Sequence, residues 1–63
     1  AKQDLTMFQV LYLCKFRPHF YDDIEPMWDW SSAVQTCQQV ARQRRCYACV
    51  VSGGQVVYES DYR

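Results

Sequence analysis

Residues 46–62, CYACVVSGGQVVYESDY, decide the fold. Two runs rich in β-formers flank Gly53-Gly54. Paired glycines supply the positive φ angles that a two-residue hairpin turn requires. A regular ladder about that turn sets Ser52 opposite Gln55, Val51 opposite Val56 and Cys49 opposite Tyr58. One hairpin face then carries Tyr47, Cys49, Val51, Val56, Tyr58 and Ser60. The other carries Cys46, Ala48, Val50, Ser52, Gln55, Val57, Glu59 and Asp61. The first is the more apolar, so it is expected to face the rest of the core.

Working back from the hairpin, residues 30–43, WSSAVQTCQQVARQ, read as the one helix. Trp30, Ala33, Val34, Cys37, Val40, Ala41 and Arg44 follow i, i+3, i+4, i+7 spacing. Asp29 is the expected N-cap, with Ser32-x-x-Gln35 a rival capping box three residues later. Arg42, Arg44 and Arg45 suit the negative end of the helix dipole. Residues 5–16, LTMFQVLYLCKF, alternate as a strand. Phe8, Val10, Tyr12, Cys14 and Phe16 lie on one side, and Met7, Gln9, Leu11, Leu13 and Lys15 on the other. Residues 17–28 contain two prolines and read as a long connection.

The expected architecture is a single α+β domain over 1–63. One helix packs on one face of a small single-layer three-stranded sheet, in the order β-α-β-β. If the strands on either side of the helix run parallel, a right-handed crossover is required. The opposite sheet face, with Ala48, Val50 and Val57, is then covered by the 17–28 loop or left for a partner.

Composition narrows the function. The chain has 63 residues, seven basic and seven acidic, for a formal charge of zero, with two Trp, five Tyr and three Phe. Such a chain can bury enough apolar surface to fold. It has no surplus of cations for phosphate binding. No apolar run approaches the ~20 residues that cross a bilayer. No charged and apolar leader is present in the sequence shown, as would also hold for a mature secreted chain; a cytoplasmic protein is the expectation adopted. A domain this small buries only about 60% of its unfolded surface, so its stability is marginal.

Four cysteines allow three readings. Cys14, Cys37, Cys46 and Cys49 could form a zinc set. However, Cys46-x-x-Cys49 lies within a predicted strand, where a three-residue step puts side chains on opposite faces. The same step forbids a Cys46–Cys49 disulfide, while Cys14–Cys37 or Cys37–Cys49 could bridge strand and helix. The reading adopted is that free cysteines fill the core as small apolar side chains, with no cofactor. His19 is a loop histidine with no nucleophile or orienting group beside it in sequence. No Walker, dinucleotide or calcium-loop spacing occurs, and no enzyme is expected.

The pattern WDWSSAVQTCQQVARQ followed by CYACVVSGGQVVYES resembles the layout of small β-α-β-β proteins from phages and other mobile elements. The resemblance implies binding to, and blocking of, a larger host machine. The expected function is therefore a non-enzymatic protein-interaction module, a regulator or inhibitor of a larger protein. Two surfaces are expected to carry it. One is the loop, with Phe20, Tyr21, Asp22, Asp23, Ile24, Glu25 and Trp28, an acidic and aromatic surface for a basic partner. The other is the uncovered sheet face with Ala48, Val50 and Val57, through which a homodimer would be economical. The alternatives are a zinc- or disulfide-stabilised secreted effector or toxin, and a single-stranded nucleic-acid binder using the arginines with Tyr47, Tyr58 and Tyr62.

Overall fold

Residues 7–13 and 20–63 are described by a computed structural model. The hairpin forms where its glycines place it. Gly53 and Gly54 have φ of 60° and 78°, and Ser52 faces Gln55 across the turn. Strands β3 (Tyr47–Ser52) and β4 (Gln55–Asp61) pair antiparallel on either side of it.

Helix α1 spans Trp30–Arg44. Asp29 stays extended, with φ −120° and ψ 129°, and its Oδ2 accepts the Ser32 amide at 2.9 Å and the Ser32 hydroxyl at 3.1 Å. The helix thus starts at Asp29 and not at the rival box. Arg45 ends it in the left-handed region, at φ 49°, and its amide and that of Cys46 both reach the Ala41 carbonyl. Ala33, Cys37 and Ala41 form the buried stripe, one turn apart.

Strand β1 (Gln9–Leu13) lies within the expected strand over 5–16, of which residues 5, 6 and 14–16 fall outside the described residues. The expected 17–28 loop is more ordered than its prolines suggest. Strand β2 (Phe20–Tyr21) pairs antiparallel with β1, Tyr21 opposite Tyr12 and Phe20 opposite Leu13. Further on, Phe8 and Met27 exchange backbone hydrogen bonds of 2.7 and 2.8 Å. Residues 20–28 therefore run back along β1.

That return path changes the topology. The sheet has four strands in the order β2-β1-β3-β4, every neighbouring pair antiparallel. The expected three-stranded sheet gains a strand, and among the described residues no parallel pair and so no parallel crossover occurs. Because the return segment carries the chain back to the start of β1, α1 climbs the sheet and β3 descends it, opposite to β1. A chain without the return segment would make β1 and β3 parallel.

The facing of the hairpin is also the reverse of that expected. Ala48 and Val50 are fully buried, with Val10, Tyr12, Ala33, Cys37, Ala41 and Cys46 in one core. Tyr47 and Val51 lie on the far side. A β-bulge in β4 accommodates this facing. Val51 faces Val56 but Val50 faces Tyr58, leaving Val57 unpaired. In a regular ladder Ala48 would face Glu59, and a carboxylate would enter the core beneath the helix at a cost of several kcal/mol. The bulge turns Tyr58 and Ser60 toward α1, and Glu59 and Asp61 away. Packing size agrees with this. The small helix stripe sits over Ala48 and Val50, while Phe8, Tyr21, Ile24, Met27, Val40 and Tyr58 flank the core. Tyr12 stacks on Tyr21 at 5.2 Å, and Trp30 meets Phe8 and Tyr58 edge-on at 5.5 and 6.1 Å.

The reversed facing makes a direct prediction. Val50→Asp should abolish the cooperative thermal transition followed by circular dichroism, while Val56→Asp should retain it. The opposite ranking would restore the facing read from the regular ladder.

Candidate functional site

The pleat sends alternate residues to opposite faces, and α1 covers only one. The helix-free face collects Gln9, Leu11 and Leu13 from β1, and Phe20 from β2. From β3 come Tyr47, Cys49 and Val51, and from β4 come Val56, Glu59 and Asp61. Met7 and Trp28 flank the isolated Phe8–Met27 bridge, Trp28 in a bend. Met7, Phe20, Trp28 and Val56 are 43%, 46%, 62% and 52% exposed.

The face has one polar corner, at the end of β4. The Tyr47 hydroxyl donates to Glu59 Oε2 at 2.8 Å. Arg63 holds Asp61 with Nη2 at 2.8 Å, Nε at 3.0 Å and its backbone amide at 3.0 Å. The Arg63 guanidinium also lies over the Tyr47 ring, 5.8 Å from its centroid, and Phe20 meets the same ring edge-on at 6.1 Å. Burial, and then the bond to the Glu59 carboxylate, push the Tyr47 hydroxyl well above its ordinary value. The hydrogen bonds from Arg63 hold the Asp61 carboxyl below the usual range. Both carboxylates on this face thus have a partner within the chain.

The sequence-predicted residues divide. Phe20 is exposed on the helix-free face, and Trp28 is exposed beside the Phe8–Met27 bridge. Asp22 and Glu25 are exposed in the return segment. Tyr21 and Ile24 pack against the core. Both carboxylate oxygens of Asp23 accept the Tyr12 hydroxyl, at 3.0 and 3.1 Å, which ties the return segment to β1. Ala48 and Val50 are withdrawn from the surface by the helix, and Val57 is exposed at the bulge, 42% accessible. Leu11, Leu13, Tyr47, Val51 and Val56 take the place of Ala48 and Val50. Their shared face was visible in the alternation of β1, but the side taken by the helix was not.

Cys14 and His19 fall outside the described residues. Cys37, Cys46 and Cys49 are free and buried. Cys37 and Cys46 lie in the core beneath α1, and Cys49 points to the other face, as the spacing requires. Among the described residues no three His, Cys, Asp or Glu side chains are grouped to hold a metal. Burial raises the Cys37 thiol to about 11, helped by Cys49 and Cys46 nearby, and burial also raises Cys49. These thiols are poor nucleophiles at neutral pH. An open groove of about 400 Å³ runs along β4, lined by Val56, Val57, Tyr58 and Glu59. It presents a single carboxylate and no nucleophile. Among the described residues no helix is long and apolar enough to cross a membrane.

Comparison with protein-family models, with curated proteins and with solved structures finds no match to this chain.

The raised Cys37 value predicts an alkaline loss of stability. The unfolded thiol ionises near 9.0, before the folded one near 11. The contribution is therefore fully present below pH 9 and lost as pH rises toward 11. Urea unfolding between pH 7 and pH 10.5 should show falling stability above pH 9, with a shallower fall in Cys37→Ala. An identical slope in both proteins would remove Cys37 as the cause.

Proposed function

We propose that this protein is a small non-enzymatic protein-interaction module, a regulator or inhibitor of a larger protein, and that its contact surface is the helix-free sheet face. The observation that carries the reading is the exposure of Phe20 and Val56 on the sheet side opposite α1, with exposed Met7 and Trp28 beside the Phe8–Met27 bridge. Monomeric proteins seldom leave a contiguous apolar face open unless something binds there. Aromatic anchors surrounded by paired charges match the anatomy of interface centres.

The other readings have less support. A base-stacking platform needs free aromatic faces. Here Arg42 lies over Tyr62 at 5.6 Å, Arg63 lies over Tyr47, and Tyr58 meets Trp30 and accepts the Gln38 amide at 2.7 Å. A cysteine-stapled effector would join Cys37 to Cys49 or to Cys14; Cys37 and Cys49 are free, and Cys14 lies outside the described residues. Free thiols suit a reducing compartment, which favours action in the cytosol.

The test is affinity capture with three forms of the chain. The wild type and a helix-surface control, Gln35→Glu/Gln39→Glu, should retain the same partner. Phe20→Ser/Trp28→Ser should lose it while keeping the wild-type circular dichroism. Equal capture by all three would move the contact surface off this face.

A further inference from the structure

We infer that residues 20–28 form a strap that opens as a unit while the rest of the fold stays closed, and that the hydrogen bond between Tyr12 and Asp23 is its latch. The inference concerns this chain alone. It bears on the proposed contact surface because Phe20 and Trp28 both belong to the strap.

The body of the fold closes without the strap. β3 is paired on both sides, by β1 and by β4, and α1 packs over it. The buried core residues come from β1, α1, β3 and Cys46. No residue of 20–28 is buried. Tyr21, Ile24 and Met27 are half-buried against the flank of the core, and the other six are exposed. Segments with few buried contacts are the ones that open locally.

The backbone of the strap is held at its two ends. Phe20 and Tyr21 pair with Leu13 and Tyr12, and Met27 exchanges two hydrogen bonds with Phe8. Residues 22–26 between these points do not pair with β1, and Pro26 has no N–H to offer. Just beyond the strap, Asp29 is fixed as the cap of α1.

Asp23 lies in this unpaired middle, where both its carboxylate oxygens accept the Tyr12 hydroxyl, at 3.0 and 3.1 Å. The donor is held firmly on the body. Tyr12 is buried in the core, its ring stacks on Tyr21, and the Arg44 guanidinium lies over that ring, 4.8 Å from its centroid. The acceptor side is exposed and ionised. A hydrogen bond to an ionised group is roughly twice as strong as a neutral one, yet water can solvate this carboxylate when the strap lifts. The latch can therefore break without disturbing the core.

Closure of the strap sets the contact surface. In the closed form Phe20 pairs with Leu13 and meets the Tyr47 ring edge-on. On opening, Phe20 and Trp28 leave together, while Leu11, Tyr47 and Val56 stay with the body. Asp23 is thus a positioning residue for Phe20 and Trp28.

Amide hydrogen exchange, followed residue by residue by NMR across a series of low urea concentrations, provides the test. In the wild type the bonded Phe8 and Met27 amides should exchange faster than the Cys49 and Val50 amides of β3. They should share one shallow urea dependence, because opening the strap exposes less surface than unfolding the chain. Asp23→Ala and Tyr12→Phe should each speed exchange at Phe8 and Met27 about tenfold. The double variant should add little to either, since both remove the same bond. Asp23→Asn keeps an acceptor oxygen and should lie closer to the wild type than Asp23→Ala. A urea dependence at Phe8 and Met27 as steep as that of β3 overturns the separate opening. Unchanged exchange in Asp23→Ala, or additive effects in the double variant, overturns the latch. Loss of the captured partner in Phe20→Ser/Trp28→Ser beside unchanged exchange in Asp23→Ala would leave the proposed function standing without the latch. Faster exchange in Asp23→Ala beside undiminished capture by Phe20→Ser/Trp28→Ser would keep the latch and withdraw the contact surface.

Discussion

The pairing of residues 20–28 with β1 is the constraint from which the rest of the architecture follows. Its backbone hold is small: two paired residues in β2 and the Phe8–Met27 exchange. The Tyr12 hydroxyl on Asp23 and the Tyr12–Tyr21 stack add side-chain anchors midway. Each segment of this chain spans the length of the sheet, so every added traverse reverses the direction of all that follow. One extra traverse between β1 and α1 makes the sheet wholly antiparallel. It also delivers Asp29 to the end of the sheet from which α1 can lie back across it.

The helix then meets the sheet on small side chains. Ala33, Cys37 and Ala41 lie over Ala48 and Val50, which allows a close approach. The larger side chains stand beside the helix instead of beneath it. Tyr12, Tyr21 and Ile24 belong to β1 and the return segment, and Phe8, Trp30 and Tyr58 form an aromatic row at the helix start. The cysteines belong to this scheme as compact apolar residues. A Leu at position 37 would force the layers apart, and a small domain has little stability to spare for overpacking.

What the sequence made legible was local. Helix periodicity, the Asp29 cap and the Gly53-Gly54 turn each depend on neighbours within a few positions, and each appears in the fold at its expected place. What it hid was non-local. Phe20-Tyr21 is too short for a strand signal, and it sits in a proline-bounded stretch that reads as a loop. The bulge at Val57 has no signature, because Val56-Val57 looks like any β-rich run. Counting apolar residues favoured the Tyr47 face for the helix, and it is the bulge at Val57 that lets Ala48 and Val50 take the helix side without bringing Glu59 beneath it. The existence of an open, partly apolar face was readable, and the identity of half its residues was not. Phe20 and Trp28 were found because exposed aromatics in a connecting segment are conspicuous. Leu11, Leu13 and Val51 were passed over because β-rich strands with apolar residues on both sides do not declare which side is wet.

Val57 has a further consequence for how this chain can vary in length. The bulge lets β4 carry one residue more than its partner needs. A chain without Val57 would reach the same facings with an unbroken ladder: Tyr58 and Ser60 toward the helix, Glu59 and Asp61 away from it. An inserted residue elsewhere in the strand would instead turn every following side chain over. β4 therefore has one position at which the chain can shorten without exchanging its wet and dry faces, and it lies beside the surface where a partner would sense the change in outline.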